Sequence, residues 1–223
     1  TMPRVLAALE RDQIVVSVGG DTIEDYVALC RETEARFGGR IAALELNAAC
    51  PNVSHGAGFY SRDPQAAREL VQAVREAVVL PVFLKFNTNF PNYLEVAAAV
   101  EAAGADALYT TNTPLGMKID LHRRRPALGN GRGPICGPAI RPIGVLRTWE
   151  LYEAVRLPII ASGGIRTWED AVEYLLAGAC AVGVGSAQFV QPDAASDILS
   201  GLERYAAAEG LECLTPLVGA AHP

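Results

Sequence analysis

Residues 157–186 read LPIIASGGIRTWEDAVEYLLAGACAVGVGS, and this stretch decides the fold. It opens on a short apolar run, Leu157 to Ser162, of the kind that forms a buried strand. Gly163 and Gly164 break that run, and Thr167-x-x-Asp170 places an acid near a helix N-terminus. Gly178 closes the helical stretch, and a second apolar run covers residues 181–185. Strand, glycine turn, helix and strand make a βαβ unit, whose two strands run parallel.

The same unit repeats on the N-terminal side. Further strands are expected at 13–18 (QIVVSV), 41–47 (IAALELN), 81–86 (PVFLKF) and 106–111 (DALYTT), giving six with 157–162 and 181–185. Asp21-Thr22-Ile23-Glu24 has capping-box spacing, Asp63-Pro64 puts proline in a first helical turn, and Gly38 and Gly104 read as helix stops. Leu70, Val71, Val74 and Val78 recur at helical spacing and should pack onto the sheet.

Near-continuous apolar strands fit either a doubly wound sheet or a barrel. Polar and glycine residues gather just after the strand ends, at 47–52, 85–89, 111–113, 162–164 and 185–186. In a barrel these points share one rim, where such enzymes build their sites, so the expectation is an α/β (β/α)8 TIM barrel. Six units are found where a closed barrel needs about eight. The first two βα units are expected to be missing, with the helix-like segment Val5–Glu10 leading into the first strand and residues 1–223 forming a single partial barrel domain.

Composition narrows the function. The chain has 223 residues, half of them hydrophobic, and a net charge of −6. That charge disfavours nucleic acid and anionic membrane as partners. Neither a membrane-length apolar run nor a secretory signal is present in the sequence, so a cytoplasmic protein is expected. The five cysteines are widely spaced, without a C-x-x-C pair, and indicate neither a disulfide framework nor a metal centre. Cys30, Cys180 and Cys213 read as inert, buried small hydrophobes.

Two constellations carry chemistry. Ser162-Gly163-Gly164 and Gly183-x-Gly185-Ser186 end the last two strands, where bare backbone N–H groups can hold a phosphate; tight turns are the alternative. Asn47-Ala48-Ala49-Cys50-Pro51-Asn52 sets two amides and a thiol in one loop, which suits a planar ligand rich in C=O and N–H groups. A thiol titrates close enough to neutrality to move a proton. Lys85 ends a strand facing inward, toward either an electron-rich cofactor ring or a carboxylate such as Glu45. Asn112 and Thr113 add an amide and a hydroxyl. The long connection 114–138 carries His122-Arg123-Arg124-Arg125, either a solvated charge run or an attractor of a substrate carboxylate or an acidic partner.

In combination SVGG (17–20), LNAACPNV (46–53), LKFN (84–87), TNTPLGMKID (111–120), GPICGPAIRP (133–142), IIASGGI (159–165) and VGVGS (182–186) resemble the class 1 dihydroorotate dehydrogenases over residues 13–195. The resemblance implies an FMN-containing barrel that oxidises dihydroorotate to orotate in pyrimidine biosynthesis. It implies Cys50 as the catalytic base and Asn47, Asn52, Asn112 and Thr113 as pyrimidine ligands. It places Lys85 and Gly137 against the flavin, and Ser162, Gly163, Gly164, Gly185 and Ser186 at its phosphate. The GMKID and CGPAIRP stretches resemble the subclass that pairs with an iron–sulfur and FAD electron-transfer subunit, and also dihydropyrimidine dehydrogenases. Ala48-Ala49 and Asn87-Thr88 depart from the family's usual residues beside the cysteine and the lysine. A homo-oligomer is implied as well. The runner-up is a dehydrogenase of dihydrouracil or dihydrothymine; a sugar-phosphate isomerase or lyase and a non-catalytic barrel fragment needing a partner chain are the other readings.

Overall fold

The computed structural model describes residues 14–49 and 57–223. The chain divides into two compact units, residues 1–110 with 150–160, and residues 111–149 with 161–223.

The first unit contains β1 (Val15–Val18), α1 (Ile23–Phe37), β2 (Ala43–Asn47), α2 (Pro64–Arg75), β3 (Val82–Lys85), α3 (Tyr93–Ala102) and β4 (Ala107–Thr110). β1, β2, β3 and β4 pair in that order, all parallel, and Leu108 N–H donates to Pro158 C=O beside β4 (2.9 Å). A strictly sequential order has no reversal point, which a doubly wound sheet requires, so the topology follows the barrel alternative.

One face of the strands is fully apolar. Leu44, Leu46, Val82, Leu84 and Leu108 have no exposed surface and share a core with Leu70, Val71 and Val74 of α2. Each such side chain contributes about 1.5–3 kcal/mol by leaving water. The opposite face carries Ser17, Glu45, Asn47, Phe83, Lys85 and Tyr109, because alternate residues of a strand point to opposite sides. This polar row, in the unit whose other side is sealed by helices, is the surface left for chemistry.

Helix starts follow the expected chemistry with one correction. Asp63 caps α2 through Gln65 and Ala66 N–H, with Pro64 in the first turn. The α1 cap is Thr22, not Asp21: Thr22 Oγ1 accepts from Asp25 N–H (3.1 Å), and Asp25 Oδ2 accepts from Thr22 N–H (3.0 Å). Gly104 and Gly178 stop their helices in left-handed backbone, whereas Gly38 stays right-handed and leads into a short 3-10 turn at Gly38–Arg40. The segment Val5–Glu10 lies outside the described residues.

The second unit has its own core around Ala161, Ile165, Ala171, Tyr174, Leu175 and Leu202. α4 (Arg141–Ala154) and β9 (Ile159–Ser162) each cross the boundary between the units, and α5 (Trp168–Leu176), β10 (Ala181–Gly183) and α6 (Ala194–Ala208) complete the second. β9 and β10 are neighbours, again in sequential order. The long connection is not an open loop. It forms two short antiparallel ribbons, β5 (Leu115–Gly116) with β8 (Gly133–Pro134) and β6 (Ile119–Asp120) with β7 (Arg125–Pro126). The cysteine expectation needs correction here: Cys30 is buried, but Cys180 and Cys213 are exposed, as is Cys136. No helix among the described residues is long and apolar enough to cross a membrane.

Candidate active site

In the first unit the site residues sit at strand ends. Asn47 ends β2 and stands opposite Lys85 at the end of β3, which in turn stands opposite Tyr109. The Lys85 ammonium lies 5.6 Å from the Tyr109 ring centroid, within range of a cation–π attraction. Among the described residues no carboxylate lies within ion-pair distance of Lys85. Glu45, the alternative partner, accepts instead from Ser17 Oγ at 2.8 Å. Lys85 is therefore a cation on the polar face whose partner is an aromatic ring, and that leaves its charge available to an electron-rich ligand.

The loop after β2 is held from behind by hydroxyl groups. Tyr26, fully buried, donates to Asn47 C=O (2.9 Å), and Ala48 N–H donates to Lys85 C=O (2.9 Å). Ser61, also fully buried, donates to Ala48 C=O (2.8 Å) and accepts from Asn87 N–H (3.0 Å), so one hydroxyl ties the loop after β2 to the loop after β3. Neither Tyr26 nor Ser61 stands out in the sequence, because a tyrosine in an apolar stripe reads as core and a serine before a helix reads as a turn. A cavity of about 550 Å³ opens beside Asn47, lined by Gly19, Gly20, Asp21, Asp25, Ala28 and Leu29. Cys50 and Asn52 lie outside the described residues.

In the second unit the loop after β9 leads toward α5 and lies against the start of α4. Gly163 (φ 123°) and Gly164 (φ 74°) adopt left-handed backbone that side chains resist. A Cβ on Gly164 would lie 2.8 Å from Gly137 C=O and 3.0 Å from Arg141 Cβ, so this glycine presses the loop after β9 against the start of α4. Gly137 is itself left-handed at φ 96°. Ser162 Oγ donates to Thr111 C=O (3.4 Å), and Thr111 N–H donates back to Ser162 C=O (3.3 Å). Asn112 and Thr113 follow directly, both partly buried.

The amide N–H groups of Gly163, Gly164, Gly185 and Ser186 donate to no acceptor among the described residues. Asp170, in the first turn of α5, is turned to other work: it caps α5 through Arg166 and Thr167 N–H (2.8 and 3.1 Å) and pairs with Arg141, which also meets Glu173 at 3.0 Å. Unmet amides with a neutralised acid behind them suit an anion. Tyr174 is buried beneath this loop, and burial, with Glu173 nearby, raises its hydroxyl pKa well above the ordinary phenol value.

The ribbon region ends in an exposed turn at Leu121–Arg124. Arg123 pairs with Asp120 at 3.8 Å, Arg124 has left-handed backbone (φ 49°), and a hollow of about 330 Å³ lies between Asp120, Arg123, Arg125 and Gly131. Leu115, Met117 and Leu121 are exposed on the same ribbons.

Residues 4–205 match the family model described as dihydroorotate dehydrogenase. Among curated proteins, the chain is 44% identical over 209 residues to the dihydroorotate dehydrogenase B (NAD(+)) catalytic subunit of Desulforamulus reducens, covering 94% of this chain and 68% of that protein. It is 43% identical over 207 residues to the protein of the same name from Geobacter sulfurreducens, covering 93% and 67%. Among solved structures, dihydroorotate dehydrogenase from Eimeria tenella, in complex with ferulenol, superposes with a TM-score of 0.73 at 21% identity. That match covers 90% of this chain and 58% of the Eimeria chain, and it shows the α/β-barrel fold. The chain spans about two thirds of its curated relatives and less of that structure.

Proposed function

Because the chain belongs to the dihydroorotate dehydrogenase family, we propose that it oxidises dihydroorotate to orotate in pyrimidine biosynthesis, in the cytoplasm, with FMN as its flavin. The observation that carries this reading is that the amides of Gly163, Gly164, Gly185 and Ser186 meet no acceptor among the described residues, a donor set that fits a phosphate monoester. Lys85, with no carboxylate in ion-pair range among the described residues, fits the ring end of a flavin.

Bound FMN supplies a hydride acceptor. The chain's own groups bind, orient and move the proton. The four amides and the Ser186 hydroxyl hold the phosphate, and the Gly137 loop contacts the flavin. Lys85 would set positive charge beside the ring of a bound flavin, where a reduced ring carries more negative charge. Asn47, Asn52, Asn112 and Thr113 pair with the C=O and N–H groups of the dihydropyrimidine. Cys50 Sγ, as thiolate, accepts the proton that leaves the substrate ring as the hydride departs from the adjacent carbon. The curated relatives are named catalytic subunits. We therefore assign this chain a separate electron-transfer partner carrying an iron–sulfur cluster and FAD, with NAD+ as the terminal acceptor, and a homo-oligomeric state.

The visible absorbance spectrum of the purified protein tests the reading. Flavin bands that bleach on anaerobic addition of dihydroorotate are expected. Bands that bleach only with dihydrouracil would replace the substrate, and a protein without flavin bands would remove the cofactor.

A further inference from the structure

Two consecutive peptide planes of the loop after β9 are pinned by their carbonyl groups. Tyr174 Oη lies 2.7 Å from Gly163 C=O and 3.3 Å from Ser162 C=O, and Thr111 N–H also donates to Ser162 C=O (3.3 Å). A phenol has one proton to donate, and the shorter contact assigns it to Gly163. A peptide unit is planar and trans, so its C=O and the following N–H point in opposite directions. Holding Gly163 C=O toward Tyr174 therefore turns Gly164 N–H away from it, and holding Ser162 C=O inward does the same for Gly163 N–H. These are two of the four amides that donate to no acceptor among the described residues.

The hydroxyl is given space at a cost to the neighbouring helix. Tyr174 is fully buried, and a Cβ on Gly144 of α4 would lie 1.9 Å from its oxygen. Glycine is among the poorest residues for a helix interior. The same Cβ would lie 3.0 Å from Tyr174 Cζ, so the glycine makes room for the hydroxyl above all and for the ring edge that carries it.

We propose that Tyr174 is a positioning residue for the flavin phosphate: its hydroxyl fixes the Ser162–Gly164 backbone so that two successive amide N–H groups face the ligand. This rests on the phosphate reading above. It concerns binding of the phosphate group and leaves the ring end of the cofactor untouched.

The test compares FMN with riboflavin, which has the same ring system and no phosphate, by fluorescence titration of the flavin-free protein. The unaltered protein should bind FMN more tightly than riboflavin. Tyr174→Phe should weaken FMN binding roughly five- to tenfold, the scale of a hydrogen bond that organises charge-assisted contacts, with riboflavin binding unchanged. Thermal unfolding of the flavin-free Tyr174→Phe variant, together with its unchanged riboflavin binding, shows that the ring still packs and the ring end of the site is intact. A preference for FMN retained in full by that variant overturns the positioning role, as does an equal loss of FMN and riboflavin binding. An unaltered protein that binds both flavins equally overturns the phosphate reading itself and the proposal with it.

Discussion

Asn47 and Lys85 stand opposite one another in register at the C-terminal ends of β2 and β3, on the face of the strands that the helices leave uncovered. An amide and an ammonium are thereby presented side by side by two rigid elements and not by a flexible loop, which is how a site keeps its geometry through a reaction.

Replacing Lys85 with methionine keeps the aliphatic stem and removes the charge. Reduction of bound flavin by substrate should slow by about tenfold or more, the scale of losing one preorganised charge at a developing anion. Stopped-flow bleaching of the flavin reads this directly, and an unchanged rate would take Lys85 out of the chemistry.

Gly164→Val meets two obstacles together, a left-handed backbone (φ 74°) and a Cβ 2.8 Å from Gly137 C=O. A loss of about 2 kcal/mol or more in folding stability is expected, with flavin lost on gel filtration. A variant with native stability and full flavin content would show that the loop tolerates a side chain and does not cradle the phosphate.

Cys50→Ser should leave the flavin in place and slow its reduction by dihydroorotate, because a hydroxyl is a far weaker base than a thiolate near neutrality. Raising the pH should recover part of the rate in the variant. If reduction proceeds at the unaltered rate, the base is another group.

Stability should fall in alkali for a reason remote from the site. Burial, with Glu34 nearby, pushes the Cys30 thiol from 9.0 up to about 12. The unfolded chain begins to release this proton near pH 9 while the folded chain keeps it. Stabilisation from Cys30 is therefore complete below about pH 9 and is lost as pH climbs from there toward about 12. Tyr174, also raised, adds the same sign at higher pH. Denaturant midpoints on either side of about pH 9 should show the fall, and Cys30→Ala should flatten its first part; an equally steep fall in that variant would assign the effect elsewhere.

Much of the fold is legible in the sequence because each strand is a β-branched run closed by glycine or polar residues. All six expected strands form, shortened at their ends, as β1 to β4, β9 and β10. The ribbons of the long connection escaped notice, since two-residue strands have no periodicity and exist only through pairing with residues far along the chain. The α1 cap shifted by one residue because two capping-box readings overlap there, and Thr22, in extended backbone, offers its hydroxyl where Asp25 can answer it. Cys180 and Cys213 defeated a rule about residue type, as a small hydrophobe beside a strand or in a terminal loop can as easily face outward.

The site was legible to a lesser depth. Lys85, Asn47 and the glycine pairs are visible as polar or glycine residues at strand ends. The groups that hold them are not: Tyr26, Ser61 and Tyr174 act through single hydroxyls aimed at backbone carbonyls, while their rings and neighbours keep the apolar spacing of ordinary core. Resemblance to a family points to the residues proposed to touch ligand. The hydrogen bonds show which hydroxyls hold their backbone in place.

The paired ribbons of the long connection leave and return at the same place, through a turn whose residues Leu121 to Arg124 are all exposed. The chain at that turn carries no core, so its continuity is dispensable to the packing on either side. Three consecutive arginines there, Arg123 to Arg125, invite trypsin. The same property makes the turn a place where the polypeptide can be opened on purpose, to seat a tag or a fluorophore without disturbing the strand ends to which the chemistry is assigned.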